Sequence, residues 1–291
     1  FGGGFSSRCS QSSPKGNEIM QEIFKNIKHS LKRIRGLVLR YVYLIKGSLP
    51  RLLELAYWPS IQLVLWGFIS QFFLTQSSVL AEAAGILIGA VLLWDVLFRG
   101  QLGFSISFLE ELWSRNLGHI FVTPLRPYEF ILALMGISLI RVLIGVGPAI
   151  MLAIPLYHFS IFSLGFPLIA FFTNLLIFGW VIGLLVTSLL LRFGVGAESL
   201  AWALIFLIAP VSAIYYPVSI LPNWLQWIAW TLPPAHVFEG MRAVLAQDYF
   251  DNTLLFNACA LNLVYLLISS IVFLYNFNAA RREGRLLQIG E

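Results

Sequence analysis

The chain has 291 residues, of which 58% are hydrophobic and only 11% are charged, and it carries a formal net charge of +5. So few charged side chains cannot cover the surface of a soluble protein of this length. The composition therefore excludes a soluble protein and predicts a polytopic membrane protein. The basic residues lie beside apolar segments rather than among stacking aromatic side chains, which argues against a nucleic-acid partner.

Several apolar stretches reach the length of about 20 residues that a helix needs to cross the hydrocarbon of a bilayer. Strands of a membrane barrel would instead alternate in hydrophobicity over segments of about 10 residues, and no such alternation occurs. We therefore expect an all-α polytopic fold.

The region before the first apolar stretch has two parts. Residues 1–18 are rich in Gly and Ser and are expected to form a flexible tail. Residues 19–56 hold an amphipathic helix from about Glu22 to Leu49, with apolar residues at helical spacing and Lys25 and Lys32 on another face. A basic face beside a span predicts an interfacial helix on an anionic leaflet, and packing on a soluble partner is the alternative.

Residues 57–291 are predicted to form one transmembrane domain with six spans. The expected spans are residues 57–75, 79–108, 129–157, 166–191, 199–216 and 253–277. Glycine pairs four residues apart in the second and fourth spans indicate close helix packing, at Gly85 and Gly89 and at Gly179 and Gly183.

The distribution of Lys and Arg predicts the orientation of these spans. Of the 19 such residues, sixteen fall in segments that six spans place on one side, and the opposite loops hold only Arg242. The other two, Arg99 and Arg141, lie inside proposed spans. The positive-inside rule then places both termini in the cytoplasm of a multi-pass protein of the inner or plasma membrane.

A short polar segment follows the second span and is predicted to be a cytoplasmic helix over residues 110–121. It presents charged and amide groups at Glu110, Glu111, Arg115 and Asn116. Its apolar stripe consists of Leu112, Trp113, Leu117 and Ile120. Such a helix offers a ridge that can enter a groove of another protein, with Trp113 as anchor. A helix resting on lipid head groups is the alternative.

Asp95, Arg99 and Arg141 are charged residues well inside the predicted second and third spans. Asp95 and Arg99 are one helical turn apart, and Arg141 in the third span can share the Asp95 carboxylate. An unpaired charge near the middle of a bilayer costs at least about 3 kcal/mol, which favours a structural ion pair over direct contact with a substrate.

Residues 217–252 are apolar, aromatic and punctuated by proline, notably at Pro217, Pro222, Trp224 and Pro233. We predict two short helices, at residues 222–231 and 234–246, that form an extracellular re-entrant hairpin before the last span. Glu239 and Arg242 are expected to pair on the second helix. A surface-lying aromatic cap is the alternative.

The sequence lacks the motifs that would give the chain chemistry of its own. It contains no Gly-x-x-x-x-Gly-Lys-Ser/Thr phosphate loop, nucleophile elbow or His-Glu-x-x-His pattern. Cys9 and Cys259 indicate neither a disulfide framework nor a metal site, and the four histidines show no ligand spacing. We therefore expect no catalytic, metal or cofactor site, and energy must come from another chain or an ion gradient.

Together these features resemble the membrane subunits of ABC-2-type transporters. The similar motifs are Glu110-Glu111-x-Trp113-x-Arg115-Asn116, Thr123-Pro124-Leu125, Tyr216-Pro217, Leu221-Pro222-x-Trp224 and Pro233-Pro234-x-His236. The resemblance covers the chain from about Arg51 to its end.

The resemblance implies a permease without its own nucleotide site. In such a permease an ABC ATPase subunit would bind ATP and Mg²⁺ and dock on a coupling helix at about residues 110–121. The residues expected to couple the two subunits are Glu110, Glu111, Trp113, Arg115, Asn116 and Pro124. The permease would form a dimer, expected to be a homodimer, and would export an amphipathic, lipid-linked or glycan-like substrate or a drug by alternating access. The amphipathic helix would correspond to the family's connecting helix, and spans one, two and five would line the path.

Two other functions remain open at this stage. One is a secondary transporter that uses Asp95, Arg99 and Arg141 with an ion gradient. The other is a membrane-embedded enzyme acting on lipid, for which no pair of catalytic-looking groups stands at one membrane depth. The sequence does not identify the cargo.

Overall fold

The computed structural model describes residues 16–76 and 78–284, with side chains described outside residues 16–19 and 75–84. The predicted tail therefore lies largely outside the described residues, as does Arg285. Within the described ranges the chain forms α-helices joined by turns and short 3-10 helices. The α-helices are α1 (Gly16–Lys46), α2 (Leu49–Gln76), α3 (Ser78–Trp113), α4 (Leu117–Val122), α5 (Pro127–Tyr157), α6 (Phe166–Phe193), α7 (Ser199–Ile208), α8 (Asn223–Thr231), α9 (Pro233–Gln247) and α10 (Asn252–Arg282).

Five described helical segments are long and apolar enough to span a membrane. They are Leu49–Leu74, Gly85–Trp113, Pro127–Tyr157, Phe166–Ala197 and Asn252–Arg282. These correspond to five of the six predicted spans. An all-helical, multi-pass architecture follows.

The remaining predicted span is shorter than expected. The apolar segment Ser199–Ser212 consists of α7 and a 3-10 turn, and Ala213 then takes a left-handed conformation with φ of 53°. At roughly 1.5 Å per residue this segment is about 21 Å long, against about 30 Å of hydrocarbon. A count of six spans therefore stays a prediction.

The centre of the fold is the packing of α3 against α6. Two glycines on α6 bring the helices close, because a Cβ atom at Gly179 would lie 2.8 Å from the Leu97 carbonyl oxygen and one at Gly183 would lie 2.9 Å from the Phe104 side chain. In contrast, a Cβ atom at Gly85 would meet only ordinary van der Waals contact with Phe159. The glycine pair on α6 thus allows close packing of two helices of the same chain.

Polar side chains fasten α10 to α6 at two levels. Asn262 donates from Nδ2 to the backbone and side-chain oxygens of Asn174, at 3.0 and 2.9 Å. Further along both helices, Asn276 donates to the Ser188 hydroxyl at 2.6 Å. Such bonds satisfy groups that would otherwise be unpaired in an apolar medium.

The helix α1 follows the predicted amphipathic pattern. In its second half Tyr41 and Ile45 are buried against the rest of the chain, whereas in its first half Phe24 is 66% exposed. The apolar stripe therefore contacts the rest of the protein along the second half of α1, where Val38 also lies beside Gly136 of α5.

The segment before the last span contains the two predicted helices, α8 and α9. A Cβ atom at Gly89, near the start of α3, would lie 3.2 Å from the Leu245 side chain on α9. Because α3 ends at Trp113, α9 and the polar segment lie at opposite ends of the helical bundle.

Candidate coupling site

The polar segment begins with a sharp end to α3. The amide of Asn116 donates to the Glu111 carbonyl at 2.9 Å, and the amide of Arg115 donates to the Leu112 carbonyl at 3.0 Å. Arg115 itself is left-handed, with φ of 52°. This hydrogen-bond pattern is a Schellman motif, which ends the helix and turns the chain into α4.

Glu111, on the last turn of α3, lies inside the protein. Its residue is 1% exposed, and its carboxylate accepts two hydrogen bonds from Arg40 of α1, at 2.7 and 3.1 Å. Asn116 donates a third hydrogen bond at 2.7 Å. A bidentate Arg–carboxylate pair fixes geometry as well as charge, so Glu111 joins the end of α3 to α1.

Glu110 joins the same end of α3 to α5 and α2. Its carboxylate lies 3.0 Å from the Arg141 guanidinium on α5 and 3.6 Å from that of Arg51 on α2. The Arg141 side chain is 8% exposed, so this pair is shielded from solvent.

A third carboxylate, Glu129, is fully buried at the start of α5. It accepts hydrogen bonds from Arg33 and Ser30 of α1 and from the backbone amide of Arg126. The last bond, to the residue before the helix, caps α5. The hydrogen bond to Glu129 raises the pKa of Arg33, so the guanidinium stays charged beside the carboxylate.

Three carboxylates thus tie four helices together, and we call Glu110, Glu111 and Glu129 with their arginine partners the carboxylate clamp. The clamp positions a set of outward-facing residues that we call the exposed ridge. The ridge consists of Trp113, Ser114, Arg115, His119, Val122, Thr123 and Pro124. Trp113 is 50% exposed and Val122 is 85% exposed.

The structure divides the predicted helix over residues 110–121 into the last turn of α3 and the short helix α4. Of the predicted apolar stripe, Leu112, Leu117 and Ile120 are buried in the chain's own core and only Trp113 faces outward. Glu110 and Glu111, expected to present charge to a partner, face inward because three guanidinium groups surround them. Trp113, Arg115 and Pro124 are exposed, and Asn116 is half-buried.

Comparison with known protein families identifies the family of this chain. The family model described as ABC-2 type transporter matches residues 51–246, which run from α2 to α9. The chain belongs to the ABC-2 type transporter family. A search of curated proteins found no match. The protein is therefore a multi-pass membrane component of an ABC transporter, and α1 and α10 flank the matched region.

In this ABC-2 permease, the three residues that were predicted to form ion pairs inside the spans make different contacts. Arg141 pairs with Glu110 at the end of α3 rather than with Asp95. Asp95 is 1% exposed, and neither of its carboxylate oxygens has a hydrogen-bond partner. Arg99 lies one turn further along α3, and its side chain packs on Gly145 of α5. No nitrogen–oxygen contact within 4.0 Å joins the Asp95 carboxylate to either guanidinium in the part of the chain that the structure describes.

At the other end of the permease, the predicted pair of Glu239 and Arg242 is present on α9, at 3.1 Å. Glu239 also accepts a hydrogen bond from the Val218 amide at 2.6 Å. The pair therefore holds the turn after Pro217 against α9. Pro222 and Trp224, at the start of α8, are exposed, and Pro233 is the buried first residue of α9.

Sequence reasoning missed Ser30, Arg33, Arg40 and Glu129 as parts of the site. A signal was present, because Arg33 and Arg40 are seven residues apart and so share one face of α1, away from Lys25 and Lys32. Their acidic partners lie 71 and 96 residues further along the chain, beyond what local spacing can show.

Proposed function

We propose that the chain is the permease subunit of an ATP-driven exporter and that an ABC ATPase docks on the exposed ridge. The observation that carries this proposal is the ridge itself. It places an exposed indole at the end of α3 and an exposed Val122 on the short helix α4, and the carboxylate clamp holds this end of α3 from behind. Exposed aromatic residues beside Arg are the groups that dominate binding energy at protein interfaces.

The clamp gives a physical route from the ridge to the spans. A force on α4 reaches α3 directly and reaches α1 through Arg40, α5 through Arg141 and α2 through Arg51. Charged, bidentate hydrogen bonds resist shear better than apolar contacts alone. The helices would then move as rigid bodies, as alternating access requires.

The same proposal includes a topology. Six spans, with Ser199–Ser212 as a short fifth span, would place both termini and the exposed ridge in the cytoplasm, as the distribution of Lys and Arg supports. Two permeases, as a homodimer, would enclose a path lined by the first, second and fifth spans. The helices α8 and α9 would form the re-entrant hairpin on the outer side. ATP and Mg²⁺ would be bound by the partner ATPase.

The test is co-purification of the permease with its ATPase after changes confined to the ridge. Trp113→Ala combined with Val122→Asp should abolish association, because it removes the anchor and places a charge in the contact. The matched control is Trp224→Ala combined with Ile220→Asp, which changes residues that are 67% and 70% exposed at the opposite end of the bundle. Association that survives the ridge variant, or that fails in both variants alike, contradicts the proposal.

The ion-gradient alternative has less support. It needs Asp95, Arg99 and Arg141 to act together, and Arg141 is held by Glu110. Transport in proteoliposomes that lack any ATPase would favour this alternative.

A further inference from the structure

A cavity of about 390 Å³ opens beside α8 and α9, at the end of the bundle opposite the exposed ridge. Its walls come from the turn at residues 217–219, from α8, from α9 and from the start of α10. This volume falls within the range of roughly 300–1,000 Å³ that is usual for small-molecule sites. Nothing in the proposed coupling mechanism uses it.

Two polar side chains in the cavity wall are held in place before any ligand binds. Gln226 on α8 donates from Nε2 to the carbonyls of Leu221, at 2.8 Å, and Ser219, at 3.4 Å. Its Oε1 is then left as a hydrogen-bond acceptor. Glu239 on α9 is fixed by the Val218 amide and by Arg242, and a carboxylate keeps further acceptor capacity after those two bonds.

The third element of the wall is aromatic. Trp230, at the end of α8, lines the cavity and is 39% exposed. Its backbone carbonyl is bonded to His236 Nε2 at 2.9 Å, and the two rings lie 4.9 Å apart. The indole therefore stands in a fixed position beside the two acceptors.

These groups select a ligand chemistry. An apolar ligand would desolvate Gln226 and Glu239 without replacing their hydrogen bonds to water. A cationic ligand would meet a carboxylate that Arg242 already neutralises, at 3.1 Å. A neutral ring that carries hydroxyl groups fits Gln226, Glu239 and Trp230 together. Its hydroxyls donate hydrogen bonds to the two acceptors, and its C–H face packs on the indole.

We propose that this cavity binds a neutral polyhydroxylated ring, the chemistry of a glycan. Such a ring can belong to a soluble glycan or to the head group of a glycolipid. Assigning the glycan to the exported cargo rests on the proposed function, whereas binding at the cavity does not.

The test is saturation-transfer NMR on the full chain in phosphatidylcholine nanodiscs, which contain no sugar. The probes are maltotriose and chitotriose as soluble glycans, dodecyl maltoside as a lipid-linked sugar, and tetraethylammonium as a cation. Trp230→Ala and Gln226→Leu should each weaken binding of the sugar probes about fivefold, the size expected for loss of one aromatic contact or of one hydrogen bond. The matched control is Trp227→Ala on the same helix, whose residue is 79% exposed and does not line the cavity; it should leave binding unchanged.

Each outcome decides a point. Binding of maltotriose or chitotriose supports a soluble glycan, and binding of dodecyl maltoside alone supports a glycolipid head group. The proposal is overturned if no sugar binds, if Trp227→Ala weakens binding as much as Trp230→Ala, or if only tetraethylammonium depends on Trp230. Co-purification with the ATPase, measured on the same variants, separates failure at the cavity from failure of the coupling proposal.

Discussion

His158, the residue that ends α5, is left-handed, with φ of 52°, and its side chain is exposed. Its amide and the next one bond to carbonyls of the last helical turn, at 3.0 and 3.4 Å, so the conformation is set by the backbone. A residue with a Cβ atom is strained in this conformation, whereas glycine is not. The Cβ atom of His158 therefore destabilises the backbone conformation that ends α5.

We therefore expect His158→Gly to raise the free energy of unfolding by about 1 kcal/mol. The measurement is equilibrium unfolding in mixed micelles of dodecyl maltoside and SDS. Gly165 provides a control of opposite sign, since it has φ of 59° and nothing lies within 4 Å of its Cβ position, so Gly165→Ala should destabilise the protein by strain alone. Equal effects of the two changes would contradict the account.

Removing Arg33 and removing Glu129 should lower the free energy of unfolding by different amounts. Glu129 is fully buried, whereas the Arg33 side chain is 31% exposed and can turn to water. Arg33→Met leaves a buried carboxylate without its cation and should cost about 3 kcal/mol. Glu129→Gln leaves only a solvated guanidinium and should cost about 1.5 kcal/mol.

Unfolding of the double variant Arg33→Met, Glu129→Gln gives the coupling between the two. Its cost should fall below the sum of the single costs, because neither charge is left alone. Additive costs would show that the pair contributes nothing through its contact.

At the scale of the helices, most of the long elements could be predicted from the sequence, because 20 or more apolar residues leave little alternative to a helix. The proline-bounded helices α8 and α9 were also predicted within two residues at each end. The division of the polar segment was not, because the left-handed residue that ends α3 is an arginine rather than the glycine that usually marks a helix end. The inward orientation of the Glu110 and Glu111 side chains depends on arginines that lie 31 and 71 residues away in the sequence, and local spacing cannot reveal such partners.

The crossing of α3 and α6 makes a prediction at this scale. Gly179→Ala should destabilise the protein by about 1–3 kcal/mol, because the new Cβ atom would press on backbone atoms of Leu97 and Gln101 that cannot move alone. Gly147→Ala on α5 is the matched control, since nothing lies within 4 Å of its Cβ position. That change should be neutral or stabilising by up to about 1 kcal/mol, as alanine favours a helix interior.

Thermal unfolding monitored by circular dichroism compares the two glycine variants directly. A Gly179→Ala protein as stable as the parent would mean that α3 and α6 are not as closely packed as described.

At the scale of the whole molecule, the carboxylate clamp predicts that the exposed ridge and α1 loosen together. Arg40→Ala removes both guanidinium bonds to Glu111 and leaves that carboxylate buried without its cation. Hydrogen exchange should then speed up in α1 and in α4, while α8 and α9 at the far end keep their protection. Lys46→Ala is the control, because that basic residue is exposed near the end of the same helix. Faster exchange confined to α1 would contradict transmission through the clamp.

The central claim is that the exposed ridge, at the end of the bundle opposite α9, is where the ATPase binds. The most direct measurement places a photo-crosslinking amino acid at Val122 in one protein and at Ile220 in another, residues that are 85% and 70% exposed. In cells that contain the complete transporter, the account predicts crosslinks to the ATPase from Val122 and none from Ile220. Crosslinks to the ATPase from Ile220, with none from Val122, would contradict it.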